Sequence, residues 1–367
     1  MLLELDDLPV HQAPTPLAHA MGGHPDAYDR FWFNGYREDL YFGIALGIYP
    51  NRGVVDAAVG TVRAGEQRSV FASGTSDARS TRVGPISIEL VEPMRVATIR
   101  VDAADQGLRG ELTFTARTVA IEEPRQTRYD AARVFMDVTR ATQLGTWSGW
   151  LEIDGERLAL DAMPTFGTKD RSWGIRPLAD SATPAPSTRP PQLFFLWAPL
   201  NFDDGGYHFS TFEDAEGVAW SRTAAALDLL APGASPVDAS GVHHTSSSGH
   251  SVTFAAGLRR AAHATLHVEA ASGEPGRIEL EPLLTFRMRG AGYLHPVYAH
   301  GRFHGELVVA GEVHDADELD TVSLHNIHVQ QVVAATWGER RGIGVLEQLV
   351  IGPHAPTGLT GVLDGAA

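Results

Sequence analysis

The sequence predicts an all-β protein made of two consecutive β-barrels packed together. Three observations carry that expectation. Short runs of alternating residues fill the chain, cut by 38 glycines and 22 prolines, the punctuation of strands and tight turns. Helical periodicity is confined to Thr223–Leu230 and to one turn at Pro25–Arg30. Residues 144–156 align without gaps on 300–312, sharing three glycines, an aromatic, a Leu and a Glu. The two copies stand on either side of a Pro/Ser/Thr segment at 181–191, as in a duplicated unit. A twisted sheet of that size removes its open edges by closing into a barrel.

In chain order, residues 1–28 read as an extended lead-in and 29–180 as the first barrel. The segment 181–191 reads as a linker and 192–367 as the second barrel. Leu40–Tyr49 is a nearly unbroken apolar strand, and Pro50-Asn51-Arg52-Gly53 is the turn that follows. Further strands are expected at Ile86–Glu92, Arg95–Asp102, Glu111–Ile121 and Arg133–Arg140. Trp150–Leu158 is a hairpin turning at Asp154-Gly155. Strands resume at Gln192–Ala198, Tyr207–Glu213, Arg277–Arg287, His304–Val309 and Ile343–Ile351.

Composition excludes several function classes. The chain has 367 residues, 29 Lys+Arg and 45 Asp+Glu, and a net charge of −16. That balance is wrong for a nucleic-acid backbone or an anionic membrane. With no cysteine, disulfides, thiolate catalysis and Cys-based zinc sites are out. No apolar run reaches the ~20 residues that span a bilayer. The amino terminus lacks the basic region of a secretion signal, so a cytoplasmic protein is expected. There is no P-loop, no dinucleotide-binding glycine motif before a helix and no nucleophile elbow.

Two stretches carry candidate chemistry. In Gly167–Pro177, an extended conformation places Asp170, Ser172 and Gly174 on one face, with Arg171, Trp173 and Ile175 on the other. Lys169 and Arg171 then point away from the acid, while Arg176 shares its face. At the repeat offset Asp170 falls on Asn326 and Ser172 on His328. The second half is therefore expected to lack the carboxylate, leaving a single site. The other stretch is Gly292–Glu306, rich in His and Tyr. If Ala299–Leu307 is a strand, His300, Arg302, His304 and Glu306 share one face. The histidines are spread too far along such a strand to share a metal, so they are read as acid–base or hydrogen-bonding groups.

These residues suggest a family. Two consecutive barrels with Asp170-Arg171-Ser172-Trp173-Gly174 closing the first, and Gly292-Tyr293-Leu294-His295-Pro296 followed by His300-Gly301 and His304-Gly305-Glu306, resemble the tandem lipocalin-like group. That group contains carotenoid hydratases, kievitone hydratase and AttH-like proteins; the likeness is to a bacterial branch and runs from about Phe31 to Ile351. The resemblance implies a lipocalin-like barrel pair with a mostly apolar pocket. It also implies hydration, dehydration, isomerisation or cyclisation of a terpenoid- or polyketide-like substrate, without an organic cofactor. In the carotenoid hydratases a Tyr stands two residues before the key Asp; here that position is Thr168, a departure from the pattern.

Adding water across an alkene needs a carboxylic acid still protonated near neutral pH, which desolvation can supply. The sequence therefore nominates Asp170 as general acid/base in a largely apolar cavity near the barrel interface. His295, His300, His304 and Tyr293 are its expected polar partners. Trp173, Arg176, Trp147, Tyr298 and Trp197 are the expected substrate contacts. The expected ligand is a small hydrophobic molecule, with no metal and no cofactor. The activity would be that of a hydro-lyase or an isomerase. A non-catalytic carrier of a hydrophobic ligand is the competing expectation.

Overall fold

The structure is a computed structural model that describes residues 4–76, 79–130, 132–178, 191–245, 248–269 and 275–367. The expected linker, apart from Pro191, lies outside the described residues. Among the described residues twelve strands precede it: β1 Ala27–Arg37, β2 Leu40–Tyr49, β3 Val54–Arg63, β4 Glu66–Thr75, β5 Arg82–Val83 and β6 Ile86–Glu92. Then come β7 Val96–Ala103, β8 Leu108–Ala116, β9 Ile121–Asp130, β10 Arg133–Ile153, β11 Glu156–Ala159 and β12 Phe166–Ile175. Ten follow it: β13 Leu193–Phe202, β14 Gly205–Glu213, β15 Ala219–Leu227, β16 Val242–His244 and β17 Ser248–Phe254. The last are β18 Ala261–Glu269, β19 Pro275–Arg287, β20 Leu307–Asp315, β21 Val329–Trp337 and β22 Arg340–Ile351.

The first sheet runs β20-β4-β3-β2-β1-β12-β10-β8-β7-β6-β5, with β9 and β11 also paired to β10. It curls until it is a nearly closed barrel. The second runs β16-β15-β14-β13-β22-β21-β19-β18-β17 and curls into a half-barrel. In each, the unit's first strand pairs with its last, β1 with β12 and β13 with β22. The path outward from that seam is the same in both sheets. The chain is thus two copies of one topology, and the two-barrel expectation holds.

The repeat register does not hold. Residues 144–153 belong to β10, whereas 300–306 are loop and 307–312 belong to β20. That last strand leaves the second sheet and pairs with β4 of the first. The strand expected at His304–Val309 begins only at Leu307, where β4 offers it a partner, and it does not extend back to Ala299 as alignment of the histidines would require. Thr223–Leu230 is not helical either. Its alanines pair with β14 as part of β15, tertiary pairing overriding helix propensity. The turn expected at Pro25–Arg30 gives way to β1 from Ala27.

Both faces of the seam strands are covered, which explains the unbroken apolar run of β2, buried at all ten positions. One face fills a barrel. Phe33, Phe42, Phe114 and Trp147 pack inside the first, and Phe194, Phe202, Phe209 and Leu346 inside the second. The other faces meet each other through Trp32, Tyr41, Phe195, Trp197, Phe286 and Val332. Close approach there needs Gly60, where a Cβ would lie 2.6 Å from the Phe286 ring.

Candidate functional site between the two barrels

Strand β12 lies between β1 and β10, and this fixes the surroundings of Asp170. Its cross-strand neighbours are Trp32 on β1 and Thr142 on β10. Ser172, two residues on, faces Arg30 and Arg140. All of these project from the outer face of the first barrel, toward the second. Lys169 is buried on the opposite side, its Nζ 3.7 Å from Met94 Sδ. Arg171 packs over Phe31 at 3.8 Å and pairs with Asp29 at 2.7 Å. The alternation expected for this stretch is the one observed. Gly167 and Gly174 serve packing: added Cβ atoms would lie 2.2 Å from Trp147 Nε1 and 2.0 Å from the Asp137 carbonyl oxygen.

The second barrel repeats the arrangement. Glu347 on β22 has Trp197 on β13 as one neighbour and Gln330 on β21 as the other. Trp197–Glu347 therefore occupies the place in its sheet that Trp32–Asp170 occupies in the first. From Trp32 to Trp197 the offset is 165 residues, and from Asp170 to Glu347 it is 177. The unequal spacing hid the match from a gapless comparison. The expectation that the second half lacks the carboxylate is corrected: its counterpart is Glu347, not Asn326. Both acid–tryptophan pairs, with Arg140 and Tyr293, line one cavity of about 30 Å³. Charged groups on its walls make it more polar than the apolar pocket that was expected.

The two carboxyl groups are set apart electrostatically. Burial pushes Asp170 up to about 7, aided by the charges of Glu123 and Glu347 and opposed by Arg140 and Arg30. Thr142 Oγ1, at 3.5 Å, donates to it. Glu347 is held below the usual carboxylate range. Burial pushes it up, but hydrogen bonds from His328 Nε2 at 2.6 Å and Gln330 Nε2 at 2.5 Å, with the charge of Arg140, outweigh that. Gln330 is oriented from the first barrel, its Oε1 accepting from Tyr41 Oη at 2.6 Å and Asn34 Nδ2 at 3.1 Å. Arg140 lies 3.8 Å from the buried Glu123. One carboxyl group that keeps its proton to near neutrality and one that stays ionised can serve as acid and base across a shared space.

The loop before β20 supplies one lining residue. The Tyr293 ring packs edge-on against Trp32, His300 and His328, at 6.3, 4.7 and 4.7 Å between centroids. The loop histidines do not join it at the cavity. His300 lies behind Tyr293, 3.7 Å from Asp56. Burial and then the charge of Arg30 push it down to about 3, against Asp56. His295 bonds Glu312 at 3.0 Å and the backbone N–H groups of Val297 and Tyr298 at 3.0 and 2.7 Å, pinning the loop. Tyr298 stacks on Phe71 at 4.9 Å. With His300 and His304 it lines a separate small cleft of about 10 Å³.

Of the expected substrate contacts, Arg176 and Trp197 reach the main cavity. Trp147 lies inside the first barrel, donating to the Asn34 carbonyl at 2.9 Å. Trp173 is on the other face of β12 and 37% exposed. Sequence reasoning passed over Arg140, Gln330 and Glu347. The available signal was one tryptophan in the opening strand of each half, Phe31-Trp32-Phe33 and Leu196-Trp197-Ala198. Among the described residues no three His, Asp or Glu side chains converge as metal ligands would.

One of the solved structures compared agrees on the fold. A crystal structure from Nitrosomonas europaea, provisionally named AttH, superposes with a TM-score of 0.54 at 13% identity, covering 93% of this chain and 98% of that one. The crystal structure of CghA gives 0.48 at 13% identity over 89% and 88% of the two chains. CghA with Sch210972 gives 0.48 at 13% identity, over 89% of each. No curated protein matches in sequence. A family model described as a family of unknown function, DUF8625, matches residues 2–360, and the chain belongs to that family.

Proposed function

We propose that the protein is a cofactor-independent acid–base enzyme that hydrates, dehydrates or isomerises a hydrophobic substrate between its barrels. The observation that carries this reading is the pair of carboxyl groups, raised at Asp170 and depressed at Glu347, facing one cavity. In the hydration direction Asp170 gives its proton to one alkene carbon. The faces of Trp32, Trp197 and Phe195 stabilise the developing cation. Water bonds to the other carbon and yields a proton to Glu347. Proton return from Glu347 to Asp170 through solvent resets the site. Isomerisation uses the same pair, with Glu347 removing a proton from carbon instead of from water.

A cavity of about 30 Å³ suits a water or two. A substrate must therefore move a wall. Trp32, Arg140, Asp170, Trp197 and Glu347 sit on paired strands, whereas Tyr293 and Arg176 sit on loop segments. These two are the groups that yield.

The test is turnover in heavy-oxygen water with a panel of alkene-bearing terpenoids and polyketides, comparing wild type with Asp170→Asn. Label uptake or double-bond migration by wild type alone, with binding retained by both, is expected. Binding without turnover by both proteins would make the chain a carrier instead.

A further inference from the structure

Arg30 is 1% exposed, and none of its three guanidinium nitrogens has a hydrogen-bond partner among the described residues. Its charge lies against the Tyr293 ring, 4.2 Å from the centroid. Arg176 approaches the same ring at 5.8 Å. The buried Tyr28 hydroxyl and Trp32 indole N–H likewise have no partner among the described residues. Arg176 lies over Tyr28 at 4.4 Å, which puts these donors around the same ring. Burying a guanidinium without an acceptor oxygen is costly, and an aromatic face compensates less well than an oxyanion. The strand register explains why the cation is here: Arg30 faces Ser172, a cavity-lining residue, across β1 and β12.

We infer that the site takes an amphipathic molecule with a carboxylate or enolate head, seated on Arg30 where the Tyr293 ring now lies, its apolar body against Trp32, Phe195 and Trp197. This rests on the cavity being the substrate site. The guanidinium fork matches a planar oxyanion in a way that a neutral ester or alcohol does not. An anion beside Asp170 also favours its protonated form, because a like charge opposes ionisation. Tyr293 is then a placeholder. It covers the cation and leaves as the head group arrives.

The test uses decanoate and its methyl ester as probes, read by calorimetry and by quenching of tryptophan fluorescence. Wild type should bind the acid roughly ten- to hundredfold more tightly than the ester. Tyr293→Ala should tighten the acid, Arg30→Met should erase the preference, and Arg30→Lys should retain part of it. Thermal melting identifies which variants fold; if Arg30→Met does not, Arg30→Lys and Tyr293→Ala decide. Asp170→Asn should keep the preference, so a failure of catalysis is distinguishable from a failure of head-group recognition. Equal affinity for acid and ester in wild type overturns the inference. So does a preference that survives in Arg30→Met, or no binding of the acid by wild type and Tyr293→Ala alike.

Discussion

Asp170 and Glu347 hold equivalent places in two sheets of the same topology, yet their surroundings treat them in opposite ways. Each has a tryptophan on one side. The difference lies on the other, where β10 gives Asp170 a threonine hydroxyl at 3.5 Å and β21 gives Glu347 a glutamine amide at 2.5 Å. Two residues earlier the same strands carry Arg140 and His328, and His328 adds a second short bond to Glu347. A duplicated frame can thus raise one carboxyl group and depress its counterpart through what the flanking strand offers it. Donors to the ionised form stabilise it, and burial without them favours the neutral form.

The sharpest way to break that contrast is to remove the titrating atom and keep the shape. Asp170→Asn is expected to cost ~10²–10⁴ in turnover with no loss of stability, because no ion pair is lost; near neutral pH it should melt above wild type, since the cost of ionising a buried carboxyl group is gone. Rate and thermal melting on one preparation check both halves of the claim. A large fall in stability would mean that the carboxylate is structural.

Glu347→Ala should behave in the opposite sense. It leaves the His328 and Gln330 donors buried and unpaired, so a loss of roughly 3–5 kcal/mol is expected, measured by urea unfolding. If Glu347→Ala is as stable as Asp170→Asn, the two acids are not distinguished as described.

The pH dependence of stability should separate them as well. Asp170 is raised from 3.8 to about 7. The stability it contributes is full below pH 4 and is lost as the pH rises through 7, about 4 kcal/mol at most. Glu347 is depressed from 4.5. Its contribution is present above that pH and lost as the pH falls below it. Unfolding measured from pH 3 to 8 should therefore lose its decline toward neutrality in Asp170→Asn, and part of its acid-side decline in Glu347→Gln. Parallel profiles for the two variants would refute the contrast.

How far the sequence could lead is itself a matter of physical range. Alternation along one strand is local, so the side to which Asp170 points and the opposed direction of Lys169 were legible. The turn at Asp154-Gly155 was too, with φ values of 50° and 82°. Pairing between strands is not local. Glu347 meets Asp170 only because β22 pairs with β13 and the outer faces of both sheets pack together. No spacing along the chain encodes that. The loop histidines misled for a related reason. Their density marks a loop that holds itself together through Glu312 and Asp56, and composition does not separate a pinned loop from a reactive one.

The smallest expected effect tests whether one barrel tunes the acid of the other. Tyr41 on β2 donates to Gln330 Oε1 at 2.6 Å, and Gln330 in turn donates to Glu347. Burial pushes the Tyr41 hydroxyl well above its ordinary pKa, so it stays a donor across the working range. In Tyr41→Phe the glutamine oxygen keeps only the Asn34 bond at 3.1 Å. The direct loss is about 1 kcal/mol, the net value of one buried hydrogen bond. The informative quantity is the coupling. If Tyr41 acts on Glu347 by fixing the amide of Gln330, Tyr41→Phe should cost less once Glu347 is already Gln. A double-mutant cycle by urea unfolding should then give an interaction energy of roughly 0.5 kcal/mol or more. Strict additivity would mean that Tyr41 merely fills the interface, and that the ionised state of Glu347 is set within the second barrel alone.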